Sequence, residues 1–157
     1  MNIFYLDTDP AECARCHGDK HVRKMLIEYA QLLCNAHYLH GSWKPGMYKP
    51  THLGNRYTFW TQASHSHYLW LYKLWAGLAE EYQRRFGPAH MSWVKLQHLL
   101  AEPPRFDMAH AWIDPPACDA LLGWTSLDRV SAYRMLYMGP KRHLAVWTKR
   151  EAPPWFK

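Results

Sequence analysis

His21, Lys24, Glu28, Gln31 and Asn35 recur at intervals of three and four, so on a helix turning about 100° per residue they form one polar strip. A carboxylate in such a strip, flanked by Met25 and Leu32, is partly desolvated, whereas Lys24 one turn earlier favours its charge. Opposed influences of this kind suit acid–base or charge-stabilising work. The same spacing also describes an ordinary Lys24–Glu28 pair on a solvated face, worth about 0.3–0.5 kcal/mol. Spacing alone leaves both readings open.

Three other groupings carry chemistry. Cys13, Cys16 and His17 make a C-x-x-C-H pentapeptide, the pattern of covalent haem attachment, and with His21 they have the ligand types of a zinc site. Haem attachment of this type belongs to exported proteins, yet the opening MNIFYLDTDP has neither the basic start nor the apolar stretch of a signal peptide. A second C-x-x-C or a paired-His motif at zinc-finger spacing is also missing, so the expectation is no metal and no cofactor. Lys49-Pro50-Thr51-His52 and Gly54-Asn55-Arg56 place basic and hydrogen-bonding groups in a proline-broken loop, where they could hold a phosphate or base edge, or only shape turns. Lys141, Arg142, His143, Lys149 and Arg150, interleaved with Trp147, Trp155 and Phe156, fit a phosphate-contacting surface, with a solvated basic face as the plainer account. His65 and His67, two residues apart, do not face one way on a helix and read as structural.

Nineteen Lys and Arg against thirteen Asp and Glu give a formal charge of +6, which favours polyanionic partners, nucleic acid or anionic membrane. Nine Trp and ten Tyr supply rings that could stack on unpaired bases, although most of them are needed to fill a small core. A length of 157 residues with 48% hydrophobic side chains points to one domain over residues 1–157. No apolar run spans a bilayer, and the chain reads as a cytoplasmic monomer whose Cys13, Cys16, Cys34 and Cys118 stay reduced.

The elements that must position these groups are helices. Asp9-Pro10 predicts a short helix from Pro10 to Cys16, ended by Gly18. Asp19 is then expected to cap a helix from about Lys20 to His40, closed by Gly41, with Val22, Met25, Leu26, Tyr29, Leu32, Leu33 and Ala36 as its apolar stripe. Pro45, Gly46, Pro50 and Gly54 make residues 42–55 a loop. A long helical region follows from Tyr57 to Phe86, bent near Ser64, with Tyr68, Leu71, Leu74, Trp75, Leu78 and Tyr82 inward and Gly87-Pro88 as its stop. Further helices are expected from Met91 to Ala101, from a cap at Ser126 or Asp128 to about Tyr137, and, after Gly139-Pro140, on to Lys149. The tail REAPPWFK must be extended. The fold class is all-α, a compact bundle with long loops and an aromatic C-terminal tail.

The blocks DKHVRKMLIEYAQLL, YKPTH, EEYQRRFG, AYRMLY and WTKREAPPWF, covering most of the chain, resemble those of a group of small phage and bacterial proteins. More remotely their order resembles the phage pyrimidine-dimer DNA glycosylases of the endonuclease V type. The likeness rests on Asp19 and His21, Glu28-Tyr29, Pro50-Thr51 with Leu53-Gly54, Arg84-Arg85-Phe86, and Trp155-Phe156. It implies an all-α enzyme that bends double-stranded DNA, extrudes a nucleotide and breaks its N-glycosidic bond. Glu28 becomes the catalytic carboxylate, with Asp19 and His21 beside it. The family's nucleophile is an N-terminal amine. Here Asn2 should hinder removal of Met1, so the expectation is excision by water that leaves an abasic site, with Met1 or Lys24 as the amine if strand cleavage does follow. Arg15, Lys20, Arg23 and Lys24 would contact phosphates, together with Lys49, Arg56, Lys141, Arg142, Lys149 and Arg150, while His21, His52 or Asn55 would meet the extruded base. The substrate would be a damaged or phage-hypermodified pyrimidine, and the role DNA repair or anti-phage defence. The competing classes are a non-catalytic single-strand-binding protein and a Cys/His metal-binding protein.

Overall fold

The computed structural model describes residues 1–108 and 110–157, and the fold is all-α. Its helices are α1 (Pro10–Cys16), α2 (Asp19–Leu39), α3 (Arg56–Thr61), α4 (His65–Phe86), α5 (Met91–Leu100) and α6 (Arg129–Met138), with 3-10 turns at Asp119–Trp124 and Arg142–Leu144. Among the described residues none of the helices is long and apolar enough to cross a membrane.

Side-chain caps set most of the starts. Asp9 accepts the Glu12 N–H ahead of α1, Asn55 the Tyr57 N–H ahead of α3, and Asp128 the Ser131 N–H ahead of α6, each satisfying a donor that the first turn leaves free. The long region expected from Tyr57 to Phe86 is two helices, not one bent helix. Ser64 is extended, at φ −159° and ψ 163°, and its hydroxyl accepts the His67 N–H, so it starts α4 afresh. Gly87 closes α4 at φ +99°, a conformation that only glycine adopts cheaply.

The whole predicted stripe of α2, from Val22 to Ala36, is at most 1% exposed, as are Tyr68, Leu71, Leu74, Trp75 and Leu78 of α4. These two stripes face each other as the main helix pair. Each buried Val, Leu or Met among them contributes roughly 1.5–3 kcal/mol of hydrophobic stabilisation. Trp75 adds a directional tie, its indole N–H donating to the Leu26 carbonyl at 2.9 Å. α1 approaches the other side of α4 so closely that a Cβ on Gly77 would lie 2.8 Å from the Ala14 Cβ.

Residues 3–6 are core rather than tail. Ile3, Phe4, Tyr5 and Leu6 are at most 4% exposed. Their backbone, with no strand partner, bonds to side chains: the Phe4 N–H donates to the Tyr29 hydroxyl at 3.1 Å, and the Cys13 thiol donates to the Phe4 carbonyl at 3.2 Å. His17 completes the circuit, one ring nitrogen 2.7 Å from the Cys13 carbonyl and the other 3.2 Å from the Tyr29 hydroxyl.

The C-terminal region departs from expectation. In place of a helix running to Lys149 there is one 3-10 turn, after which the chain crosses to the start of α2. The Val146 carbonyl accepts the Asp19 N–H at 2.8 Å, so this segment takes an orphan donor of α2. Asp19 is therefore not the cap. Gly18 holds that position without a side-chain bond, and the Asp19 carboxylate turns sideways to the Thr148 backbone N–H and hydroxyl. The tail then packs back, with Trp147 edge-on to Phe156 at 4.8 Å and Trp155 edge-on to Tyr137 at 6.1 Å. It is not a straight extended tail, since Phe156 N–H closes a turn onto the Pro153 carbonyl.

Candidate nucleic-acid site along the second helix

Folding splits the polar strip of α2. Its two ends are buried, Lys24 is exposed, and Glu28 and Gln31 are part-buried. Asn35, fully buried, donates to the Thr51 carbonyl at 2.7 Å and to the Thr58 hydroxyl at 3.1 Å, and accepts the Thr51 N–H at 3.2 Å. It pins the 42–55 loop onto α2.

His21, 5% exposed, stacks on Phe4 at 4.1 Å and places Nδ1 2.5 Å from the Tyr137 hydroxyl. Burial, then the charges of His17, Lys141, Lys24 and Lys20, lower its pKa to about 3. His21 is thus neutral at physiological pH and cannot serve as a general acid there. The Tyr137 hydroxyl, whose pKa burial raises, accepts the Gly18 N–H at 3.4 Å. Its single proton is best used toward His21 Nδ1, which leaves the imidazole hydrogen on Nε2 as a donor.

Between these buried ends lie Lys24 and Glu28. Glu28 Oε1 is 3.3 Å from Lys24 Nζ, and the carboxylate side chain is 16% exposed against 64% for the lysine. Glu28 is therefore mostly shielded and paired with one cation.

Lys24 also stands on the rim of an open groove of about 710 Å³. α2 supplies its basic wall through Lys20, Arg23 and Lys24. Tyr82 at the end of α4 and His90 ahead of α5 form an aromatic wall, edge to face at 4.8 Å. The returning C-terminal segment closes the groove with Leu144 and Val146. Arg23 is held in place by the Phe86 ring, 4.1 Å beneath its guanidinium.

A buried ion network fixes that C-terminal wall. The Arg85 side chain, fully buried, donates to Glu81 Oε2 at 2.7 and 3.0 Å, to Asp19 Oδ1 at 3.1 Å and to the His17 carbonyl at 2.7 Å. Arg150 donates to both oxygens of the same Glu81 at 2.5 and 2.8 Å. Asp19 and Arg150 accordingly hold the fold together, and neither is a free group facing a ligand.

The other candidates disperse. Arg15 pairs with Glu12, and Arg56 pairs with Asp119 at 3.0 Å while donating to the Ala117 carbonyl. Arg142 donates to the Lys157 carbonyl at 2.7 Å and lies over Phe156. Asn55 caps α3, and His52, at φ +51°, turns its ring to the Thr51 hydroxyl. Lys49 and Lys149 are exposed, and Met1 is half-buried against the core. Lys141 Nζ sits 5.7 Å above the Phe4 ring that His21 stacks on, which joins it to the α2 cluster. Cys13, Cys16, His17 and His21 do not converge, and no cluster of three or more metal-ligating side chains exists among the described residues. Burial pushes the Cys13 thiol up to about 12, which makes it inert.

No family model, curated protein or solved structure matches this chain.

Sequence reasoning missed Tyr82, His90, Leu144 and Val146 as groove walls, Phe4 and Tyr137 as supports of His21, and the Glu81–Arg85 centre. Tyr137 and Arg85 lie in the AYRMLY and EEYQRRFG blocks, the one signal available for them.

Proposed function

We propose that the protein is a DNA glycosylase that excises a damaged or hypermodified pyrimidine from DNA and leaves an abasic site, with Glu28 as its catalytic carboxylate. The observation that carries this reading is the Glu28 environment, a carboxylate only 16% exposed and 3.3 Å from Lys24, on the helix that also carries exposed Lys20 and neutral His21. The resemblance of the Asp19-to-Tyr29 block to the endonuclease V type of glycosylase supports it.

In this mechanism the C1′–N bond of an extruded nucleotide lengthens, and its electron pair leaves with the base. Positive charge grows at C1′, where the carboxylate stabilises it. Water adds to C1′ and Glu28 takes its proton. Lys20 and Lys24 hold the flanking phosphates, and the Nε2 hydrogen of His21 is available to a base carbonyl. Repair and anti-phage defence are both served by this chemistry.

The test incubates wild type and Glu28→Gln with DNA carrying pyrimidine photoproducts, uracil or phage-modified pyrimidines, then scores alkali-labile sites. Wild type should create them, and Glu28→Gln should be slower by about 10²–10⁴-fold. Equal excision by the variant would remove Glu28 from the chemistry. Borohydride should trap no covalent complex, because water is the nucleophile. A trapped complex would instead show that an amine such as Lys24 attacks C1′.

A further inference from the structure

The groove lined by Lys24, the partner of Glu28, is a second feature of this helix, and its walls differ in kind. One is basic, from Lys20, Arg23 and Lys24, and the other is aromatic, from Tyr82 and His90, with exposed Val146 at the edge. Its one carboxylate, Asp19, is already paired with Arg85 and accepts a hydrogen bond from the Thr148 hydroxyl, so it offers an anion little repulsion.

We propose that this groove seats an unpaired segment of a DNA strand, with phosphates along Lys20, Arg23 and Lys24 and a base against Tyr82. The inference deepens the glycosylase reading by naming the form of DNA held beside Glu28, and it rests on that reading only for the polymer being DNA. Charge complementarity selects a polyanion, since three cations of one helix line a single wall. The aromatic wall selects a strand whose bases are exposed, because paired bases in a duplex hide the faces that stack. The open form of the groove selects a continuous strand over a free nucleotide, which small-molecule sites enclose on most sides. The volume of about 710 Å³ lies within the roughly 300–1,000 Å³ of known ligand sites, enough for at least one nucleotide. Arg23 is pre-positioned on Phe86 in the same row of rings as Tyr82, which reduces the ordering needed on binding.

The experiment is fluorescence anisotropy with an unmodified oligothymidylate of about a dozen nucleotides, the same strand in duplex, and free thymidine monophosphate as competitor. No excisable base is present, so binding is read apart from catalysis. Wild type should prefer the single strand over duplex. Its log K against log salt should slope by about −2, from roughly 0.7 for each of three neutralised phosphates, and Arg23→Glu should flatten it by at least 0.7. Tyr82→Leu should weaken binding by about 5-fold or more, the least expected for one lost base–ring stack. Val146→Glu alters only an exposed side chain and should weaken binding about as much as Arg23→Glu, so it carries the test if a Tyr82 or Arg23 variant fails to fold. Duplex binding at least as tight as single strand, or single-strand binding unchanged in Val146→Glu and Tyr82→Leu, would overturn the proposal. Competition by thymidine monophosphate at the strand's own per-nucleotide concentration would also overturn it and mark a free-nucleotide site.

Discussion

Replacing Glu81 by glutamine perturbs both the fold and the groove. Glu81 is 5% exposed and accepts four N–H groups, two from Arg85 at 2.7 and 3.0 Å and two from Arg150 at 2.5 and 2.8 Å. The substituted amide would keep one acceptor oxygen and turn its NH₂ toward guanidinium donors. Breaking a buried pair costs about 3–5 kcal/mol when the remaining charge has no other partner. Here Arg85 retains Asp19 at 3.1 Å and two backbone carbonyls, so the lower end, about 3 kcal/mol, is expected. For a chain of this size that corresponds to a Tm lower by roughly 6–12 °C. The loss should concentrate on residues 147–150, which Arg150 and Thr148 tie to α4 and α2. Thermal unfolding followed by circular dichroism gives the first quantity, and limited trypsin digestion at Lys149 and Arg150 the second. Arg150→Gln should speed cleavage after Lys149 with a smaller Tm change, because the Arg85 centre survives. A Tm within about 2 °C of wild type, with Lys149 cut no faster, would refute the view that Glu81 clamps the C-terminal wall.

Gly77→Ala should destabilise by about 1–2 kcal/mol in urea titration, since overpacking against the Ala14 Cβ at 2.8 Å exceeds the gain in helix propensity. His17 and His37 have pKa values lowered to about 4, and His21 to about 3, in each case chiefly by burial. The folded state therefore binds fewer protons than the unfolded chain below about pH 6.5, so stability is full above that pH and falls as pH drops toward 4, by about 2 kcal/mol per histidine at pH 5. Chemical denaturation between pH 7 and 5 measures this, and a flat profile would contradict neutral burial. Tyr137→Phe should cost about 1–2 kcal/mol and release the His21 tautomer, with ¹⁵N shifts moving from a pure Nε2–H signature to a mixture.

Much of the frame was legible in the local sequence. The 3.6-residue recurrence from Val22 to Ala36 identified the buried side of α2, because one apolar face of a helix must leave water whatever it packs against. Asp9, with Pro10 after it, and Gly87 marked helix ends for equally local reasons, the first-turn donors and the positive φ. The polar strip of α2 was legible as a strip, and Glu28 within it as a carboxylate one turn from Lys24.

Which members of the strip face outward was decided by partners far along the chain. His21 is buried because Tyr137, 116 residues later, meets its ring, and Asn35 because Thr51 and Thr58 satisfy its amide. No periodicity marks Ile3 to Leu6 as core, since their backbone is satisfied by Tyr29 and Cys13 instead of a ladder. Arg150, basic and near the C-terminus, reads as a surface contact until Glu81, 69 residues earlier, takes its guanidinium. Periodicity thus determined where apolar surface must go, a consequence of local geometry and water. Only the tertiary structure decided which polar groups are buried against distant partners and which, Lys20 and the local Lys24–Glu28 pair among them, are not, because a hydrogen-bond or ion-pair partner can come from any distance in sequence.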